Sequence, residues 1–256
     1  MDLWSLIVAI LPIVLLGLYI YHKDRDKEPS KLLFELFMCG VLSCFPTVIV
    51  GLIFDSFFPE LEMMNFIQLI IYVFVAIAFV EEFFKWIFLY KVSYNHKEFD
   101  SSYDMIVYAT FVSLGFACFE NILYVISYGS SVGLFRAILA VPGHVCYGIL
   151  MGLYLGLAKL KEVEGNFSLA KRYKILSIFI PVLAHGIYDF LIFDGSVLFI
   201  ILFFINIIFV DIYCIIKLKD ISKNSVDFKH ISKCCPSCGV VANSKYCPNC
   251  GQKLIR

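Results

Sequence analysis

The sequence predicts an all-α polytopic membrane protein, a seven-transmembrane-helix bundle followed by a small C-terminal zinc ribbon. Three observations carry this expectation. Of 256 residues, 61% are hydrophobic and only 16% are charged, with a mean hydropathy of +0.85, a balance foreign to water-soluble domains. Seven apolar runs reach the ~20 residues needed to cross ~30 Å of hydrocarbon at 1.5 Å per residue. Five of the ten cysteines crowd between Cys234 and Cys250 in metal-ligand spacing. Lys plus Arg and Asp plus Glu both number 21, so the whole chain lacks the positive charge that draws nucleic acid, and no nucleic-acid partner is expected.

The runs are Leu3 to Tyr21, Leu32 to Phe54, Met64 to Tyr90, Asp104 to Tyr128, Leu134 to Ala158, Tyr173 to Phe193 and Ser196 to Lys217. The first lacks the basic start and small-residue cleavage site of a signal peptide and is too long for one, so it reads as an uncleaved anchor. Asp2 precedes it and Lys23, Arg25, Lys27 and Lys31 follow, which by the positive-inside rule places the N-terminus outside. Later loops alternate as that orientation requires. Asp55 to Asn65 has no Lys or Arg, Lys91 and Lys97 lie in the next loop, and Tyr128 to Gly133 has none, although Arg136 sits just inside the outer end of the fifth run. Lys159, Lys161, Lys171, Arg172 and Lys174 come next, Asp194-Gly195 has none, and the tail is basic, so the C-terminus is expected in the cytoplasm.

Three units follow: a transmembrane domain over 1–217, a linker over 218–233 and a ribbon over 234–256. The stretch Lys219 to Ser232 is polar and lacks apolar periodicity. Cys235-Pro-Ser-Cys238-Gly and Cys247-Pro-Asn-Cys250-Gly then form two tight turns, each presenting two sulfurs, which suits tetrahedral zinc. Such a zinc is structural, because four thiolates leave no open position and ~20 residues cannot build a core without metal. Cys234 is an alternative register for Cys235, and the flanking Pro and Gly favour Cys235. The basic residues Lys233, Lys245, Lys253 and Arg256 either touch lipid phosphates or a partner or serve solubility. Cys39, Cys44, Cys118, Cys146 and Cys214, scattered singly in apolar runs, read as small core residues.

Inside the runs, charge is the anomaly. An ionised group at bilayer depth costs about 2.5–3.5 kcal/mol on insertion scales and marks a functional site by default. Glu81, Glu82 and Lys85 lie in the third run, Glu120 in the fourth, His144 in the fifth, and His185 and Asp189 in the sixth. At 100° per residue Lys85 falls between Glu81 and Glu82 and can neutralise only one at a time, leaving a carboxylate over. A lone intramembrane His is usually a hydrogen-bonding group between helices; two, with three glutamates on four consecutive helices, are not lone. His185 and Asp189 stand one turn apart, so the carboxylate can fix the tautomer that aims the other nitrogen at substrate, or can bond a neighbouring helix instead. Pro142 and Pro181 kink the helices near the histidines, and Gly148, Gly152 and Gly156 form a close-packing stripe below His144. Tyr124 reads as a core aromatic or a partner of Glu120, and Asp211 as a structural group snorkelling to water. Counted from the cytoplasmic span ends, Glu81 lies about 14 Å deep, His185 about 18, His144 about 21 and Glu120 about 24, so one shared site must absorb ~10 Å by tilt or kinks.

In order, Glu81-Glu82-x-x-Lys85, Phe116-x-x-x-Glu120, His144-x-x-x-Gly148 and His185-x-x-x-Asp189 resemble the four motifs of the PrsW family of intramembrane proteases, related to the CAAX prenyl endopeptidase and bacteriocin-processing superfamily. The resemblance covers the third to sixth runs; the first two and the last match only as membrane helices, and the ribbon is an addition. It implies an integral protein of a bacterial plasma membrane that hydrolyses a peptide bond, in or near the bilayer, of a membrane-protein or peptide substrate resembling an anti-sigma factor. Glu81 or Glu82 is then the general base. Glu120 and His144 bind the attacking water or protonate the leaving amine, and His185, oriented by Asp189, donates to the oxyanion. A catalytic zinc on Glu120, His144 and His185 is the second mechanism, with metal-independent glutamate catalysis preferred. The rival class is a proton-coupled transporter or relay using the same groups, although no repeat relates the two halves.

Overall fold

Lipid offers a peptide group no water to bond, so each apolar run must satisfy its own backbone as helix. The computed structural model, which describes residues 3–24, 26–228, 233–235, 237–238, 240–242 and 246–253, has seven helices long and apolar enough to cross a membrane. Among the charges used above, Asp2, Arg25, Lys245 and Arg256 lie outside the described residues, as do Pro236 and Gly239 of the ribbon and residues 229–232 of the linker.

The spans are α1 (Leu3–Lys23), α2 (Ser30–Asp55), a compound third span, α5 (Asp104–Tyr128), a broken fifth span, α8 (Phe167–Asp194) and α9 (Val197–Lys223). The third comprises α3 (Phe66–Ile71), a π-helical stretch Tyr72–Phe79 and α4 (Val80–Ser93). It starts on a capping box in which Asn65 and Gln68 bond each other's backbone N–H. The fifth is α6 (Ser130–Ile138) and α7 (Ala140–Val163), broken at Leu139, ahead of the Pro142 at which a kink is expected. Gly195, at φ +68°, closes α8 in the left-handed conformation that a glycine adopts without strain.

The fifth span and α5 form the centre. In each, 67% of the apolar window is buried, against 11% for α9, which faces lipid with Ile205, Phe209 and Ile216 exposed. Close packing sets the centre. A Cβ on Gly40 of α2 would strike the Val112 carbonyl of α5, and one on Gly115 of α5 would strike the Phe37 carbonyl of α2. The stripe on α7 packs likewise on α5: a Cβ at Gly148 would lie 2.7 Å from Ser113 Oγ and one at Gly156 2.6 Å from the Ser102 carbonyl. His144, on the same helix, is thereby held against α5.

At the other end of α5, Tyr108 donates a 2.6 Å hydrogen bond to Glu28, in the α1–α2 loop. Burial pushes the Glu28 carboxyl up to about 8, so at neutral pH it sits at the bundle edge largely uncharged. Beside it lies an unforeseen feature of the tail. Helix α9 continues to Lys223, into the stretch expected to be linker, and residues 226–228 are strapped to the α4–α5 loop. Ser102 N–H donates to the Val226 carbonyl (3.1 Å) and Phe228 N–H to that of Asp100 (2.7 Å), while the Phe228 ring is buried edge-on against Phe99. Backbone bonds and one buried aromatic residue together dock this polar stretch. Ribbon strands β1 (Lys233–Cys234) and β2 (Val241–Ala242) pair antiparallel.

Because backbone carbonyls cannot move aside, Gly115→Ala is expected to cost about 1–3 kcal/mol or more, read as a lowered midpoint of thermal unfolding in detergent. Gly51→Ala on α2, where a Cβ meets nothing within 4 Å, should leave that midpoint unchanged or raise it.

Candidate active site

The π-helical stretch fixes the rotation of α4. Its wider turns shift the helical face one position, and it is wedged against α8, where the Phe74 ring fills the space a Cβ on Gly186 would take. Trp86 Nε1–H donates to Ser177 Oγ of α8 at 2.9 Å, a second tie between the two helices. Glu82 and Lys85 consequently face inward and are completely buried.

The seven ionisable residues picked out by sequence converge. Lys85 Nζ lies 2.6 Å from Glu82 Oε1, 3.5 Å from Glu81 Oε2 and 3.2 Å from His144 Nδ1, with the Phe116 ring 4.0 Å beneath it. Its three hydrogens are thus used, and Nδ1 of His144 must accept. The opposite nitrogen of His144 donates to Glu120 Oε2 at 2.9 Å. His185 Nδ1 lies 2.9 Å from Glu82 Oε1 and its Nε2 lies 3.3 Å from Asp189 Oδ2. The ~10 Å spread in depth disappears because the spans are neither straight nor equal in register: the third is wound as π-helix and the fifth breaks just before His144.

Two details differ from expectation, and a third, the aromatic role of Tyr124, gains its partner. Asp189 does engage His185, but the other ring nitrogen faces Glu82 instead of standing free for substrate, and Tyr147 stacks on the ring at 4.7 Å. Asp211 does not snorkel; it accepts from Cys146 Sγ at 3.3 Å on α7. Tyr124 packs its ring against the Arg136 guanidinium at 3.9 Å. Arg136 itself is the residue that sequence reasoning left aside: from α6 its Nη2 lies 2.7 Å from Glu120 Oε2, and its buried Nε has no partner. The signal was present, an arginine inside an otherwise uncharged outer end.

Counting charges isolates one group. Glu82, Glu120 and Asp189 each have a close cationic or ring N–H partner in Lys85, Arg136 or His185, whereas Glu81 has only the long contact to Lys85. Glu81 also reaches the surface of a cleft of about 350 Å³ between α2, the third span and α5, which Glu120 lines as well. The carboxylate left over is therefore the one that open space reaches.

Two sets of donors bring one atom each within 4.8 Å of one another: Glu81, Glu120 and His144, and Glu81, Glu82 and His185. Among the described residues Glu120, His144 and His185 do not form such a set, because the two imidazoles are turned to different carboxylates with their rings 5.4 Å apart. Carboxylate oxygens and imidazoles suit a divalent transition metal, and the buried Glu82 Oε2, which has no hydrogen-bond partner, is the kind of orphan a cation satisfies. In the ribbon Cys235, Cys238, Cys247 and Cys250 also converge, with Sγ atoms 3.4 Å apart for Cys235–Cys250 and 3.5 Å for Cys238–Cys247. These separations are far beyond a disulfide bond and close to the ~3.8 Å edge of a zinc tetrahedron with 2.3 Å Zn–S bonds.

A membrane-spanning bundle that gathers carboxylates, imidazoles and cations from five helices at the end of a cleft has the build of an intramembrane enzyme. The family model described as PrsW family intramembrane metalloprotease matches residues 28–215. Proteases named PrsW are similar along most of their length. That of Oceanobacillus iheyensis is 37% identical over 220 residues, 85% of this chain and 96% of that protease. That of Bacillus subtilis is 37% identical over 191 residues (72% and 80%), and that of Clostridioides difficile 33% over 196 (75% and 80%). No solved structure matches. The chain belongs to the PrsW family of intramembrane proteases and is a peptidase, which decides against the transporter alternative.

Removing the central cation should be costly, since Glu82 would remain buried without its ammonium partner, with only His185 beside it. Lys85→Met is expected to destabilise the fold by about 3–5 kcal/mol, measured by thermal unfolding. Lys85→Met combined with Glu82→Gln should recover much of the loss.

Proposed function

We propose that the chain cleaves a membrane-protein substrate, resembling an anti-sigma factor, with Glu81 as general base. The observation that carries this is the position of Glu81, the one carboxylate of the cluster both short of a cation and open to the cleft. Glu81 takes a proton from water as the oxygen attacks the scissile carbonyl carbon, then returns it to the nitrogen as the C–N bond breaks, leaving a carboxylic acid and a neutral amine, between which the acid proton then passes. Arg136, whose Nη2 pairs with Glu120 at 2.7 Å, supplies positive charge behind the cleft that favours the negative charge developing on the carbonyl oxygen. Glu82, His185 and Asp189 act as positioning residues, holding Lys85 and through it the Glu81 carboxylate.

The donor sets that would hold a divalent metal are Glu81 and Glu120 with His144, and Glu81 and Glu82 with His185; each takes one oxygen of Glu81, and the other would remain to act as base. The chemistry such a metal would supply there is Lewis-acid polarisation of the scissile carbonyl. The ribbon cysteines hold a separate, structural zinc, and the alternation of loop charge supports an N-terminus outside and a cytoplasmic ribbon.

Co-expression with candidate single-pass membrane proteins tests the function. A fragment is expected with the wild type, and about 10²–10⁴-fold less with Glu81→Gln; as much fragment with Glu81→Gln and with His185→Ala as with the wild type would sink the reading. Elemental analysis tests the metals. A chain carrying Cys235→Ser and Cys250→Ser is expected to lose about one zinc and keep about one metal in the membrane domain, whereas a metal-free mechanism would confine metal to the ribbon.

A further inference from the structure

The cleft that ends on Glu81 and Glu120 begins at the opposite rim of the bundle. Along α2 it is walled by Thr47, Gly51 and Asp55, and along the third span by Tyr72 and Ala76. From Cys44, level with its floor, to Asp55 the helix rises about 16 Å. Its flank is open to lipid, where Val48, Leu52 and Leu123 are exposed. At the rim, Tyr72 O–H donates to Asp55 Oδ1 at 2.7 Å. Asp55 heads a loop whose other charged residues are Glu60 and Glu62, and among the described residues none of the ion pairs includes Asp55.

Two constraints give these features a meaning that rests on the peptidase reading of Glu81. A scissile carbonyl must leave its helix to be attacked, and non-helical backbone at membrane depth survives only inside protein or beside a wet cavity. A cleft with the Thr47, Tyr72, Asp55 and Glu120 polar groups along its length meets that need. Its acidic rim, with no Lys or Arg in the adjoining loop, complements a cation. We propose that this cleft receives an unwound segment of a single-pass membrane-protein substrate, entering sideways from lipid, and that Asp55, held by Tyr72, pairs with a Lys or Arg at the substrate's outer membrane border. In the orientation proposed above, this contact is selective. Basic residues concentrate at the cytoplasmic ends of spans, so few membrane proteins present one at the outer border.

A photo-crosslinking residue in place of Gly51, where a side chain enters open space, tests this in the full-length chain; the same residue in place of Ile205, on the lipid face of α9, is the reference. The probes are two synthetic single-span proteins that differ only at the outer border, one with two lysines and one with two glutamates. The expected result is a crosslink at 51 about tenfold stronger with the lysine probe than with the glutamate probe, and stronger than at 205, with Asp55→Lys reversing the preference. Equal yields at 51 and 205, equal yields for the two probes, or no crosslink at 51 would overturn it. A crosslink at 51 with no cleavage of any substrate overturns the peptidase reading alone, and cleavage by the wild type with no crosslink at 51 overturns the cleft alone.

Discussion

The structure depends on one buried ammonium. Lys85 is wholly enclosed in a bundle whose surroundings are side chains and lipid, and an isolated charge there would cost several kcal/mol. It is tolerable only because Glu82, Glu81 and His144 surround it and the Phe116 ring lies below. Each partner hands the requirement on. Glu82 takes His185, which takes Asp189; His144 takes Glu120, which takes Arg136. A continuous polar chain thus crosses α8, α4, α7, α5 and α6, and its geometry is enforced by the glycines that bring α7 and α2 onto α5. Packing and electrostatics are here a single constraint, since a wider approach of α7 would strand both His144 and Lys85.

Such a chain is rigid where it is paired, and its weakest pairing falls on the side branch from Lys85 to Glu81. Lys85 was free, on helical geometry alone, to choose Glu81 or Glu82. In the folded bundle Glu82 Oε1 holds both the ammonium, at 2.6 Å, and His185 Nδ1 of α8, at 2.9 Å, while Glu81 is left at 3.5 Å.

Much of this was legible in the sequence. Span number follows from apolar length, and the intramembrane positions of Glu81, Glu120, His144 and His185 followed from the cost of charge in lipid. What escaped is what residue types do not encode. Nothing in Tyr72-Val-Phe-Val-Ala-Ile-Ala-Phe79 marks a π-helix; its winding goes with packing on Gly186, three spans further along the chain. Depth counting failed because it treated spans as straight rods, when Leu139 breaks the fifth and the π-stretch rewinds the third. Arg136 was read as an interfacial exception because its partner Glu120 lies on another span, and Phe228 docks the tail through an aromatic contact that a polar composition conceals. Which oxygens and nitrogens meet is tertiary information throughout.

Hydrolysis in a bilayer carries a second requirement beyond paired charge, because water is a reagent and lipid excludes it. The inner part of the polar chain, Lys85, Glu82, His144 and His185, cannot itself deliver water, being buried. The cleft can: Asp55 and Tyr72 at its rim and Glu81 and Glu120 at its floor form a polar path alongside the lipid-facing Leu52. Because Glu81 is where the closed chain and the open cleft meet, the same position is reached by water from one side and held in place from the other. A carboxylate placed deeper in the chain would be better oriented and dry, and one farther up the cleft would be wet and unrestrained.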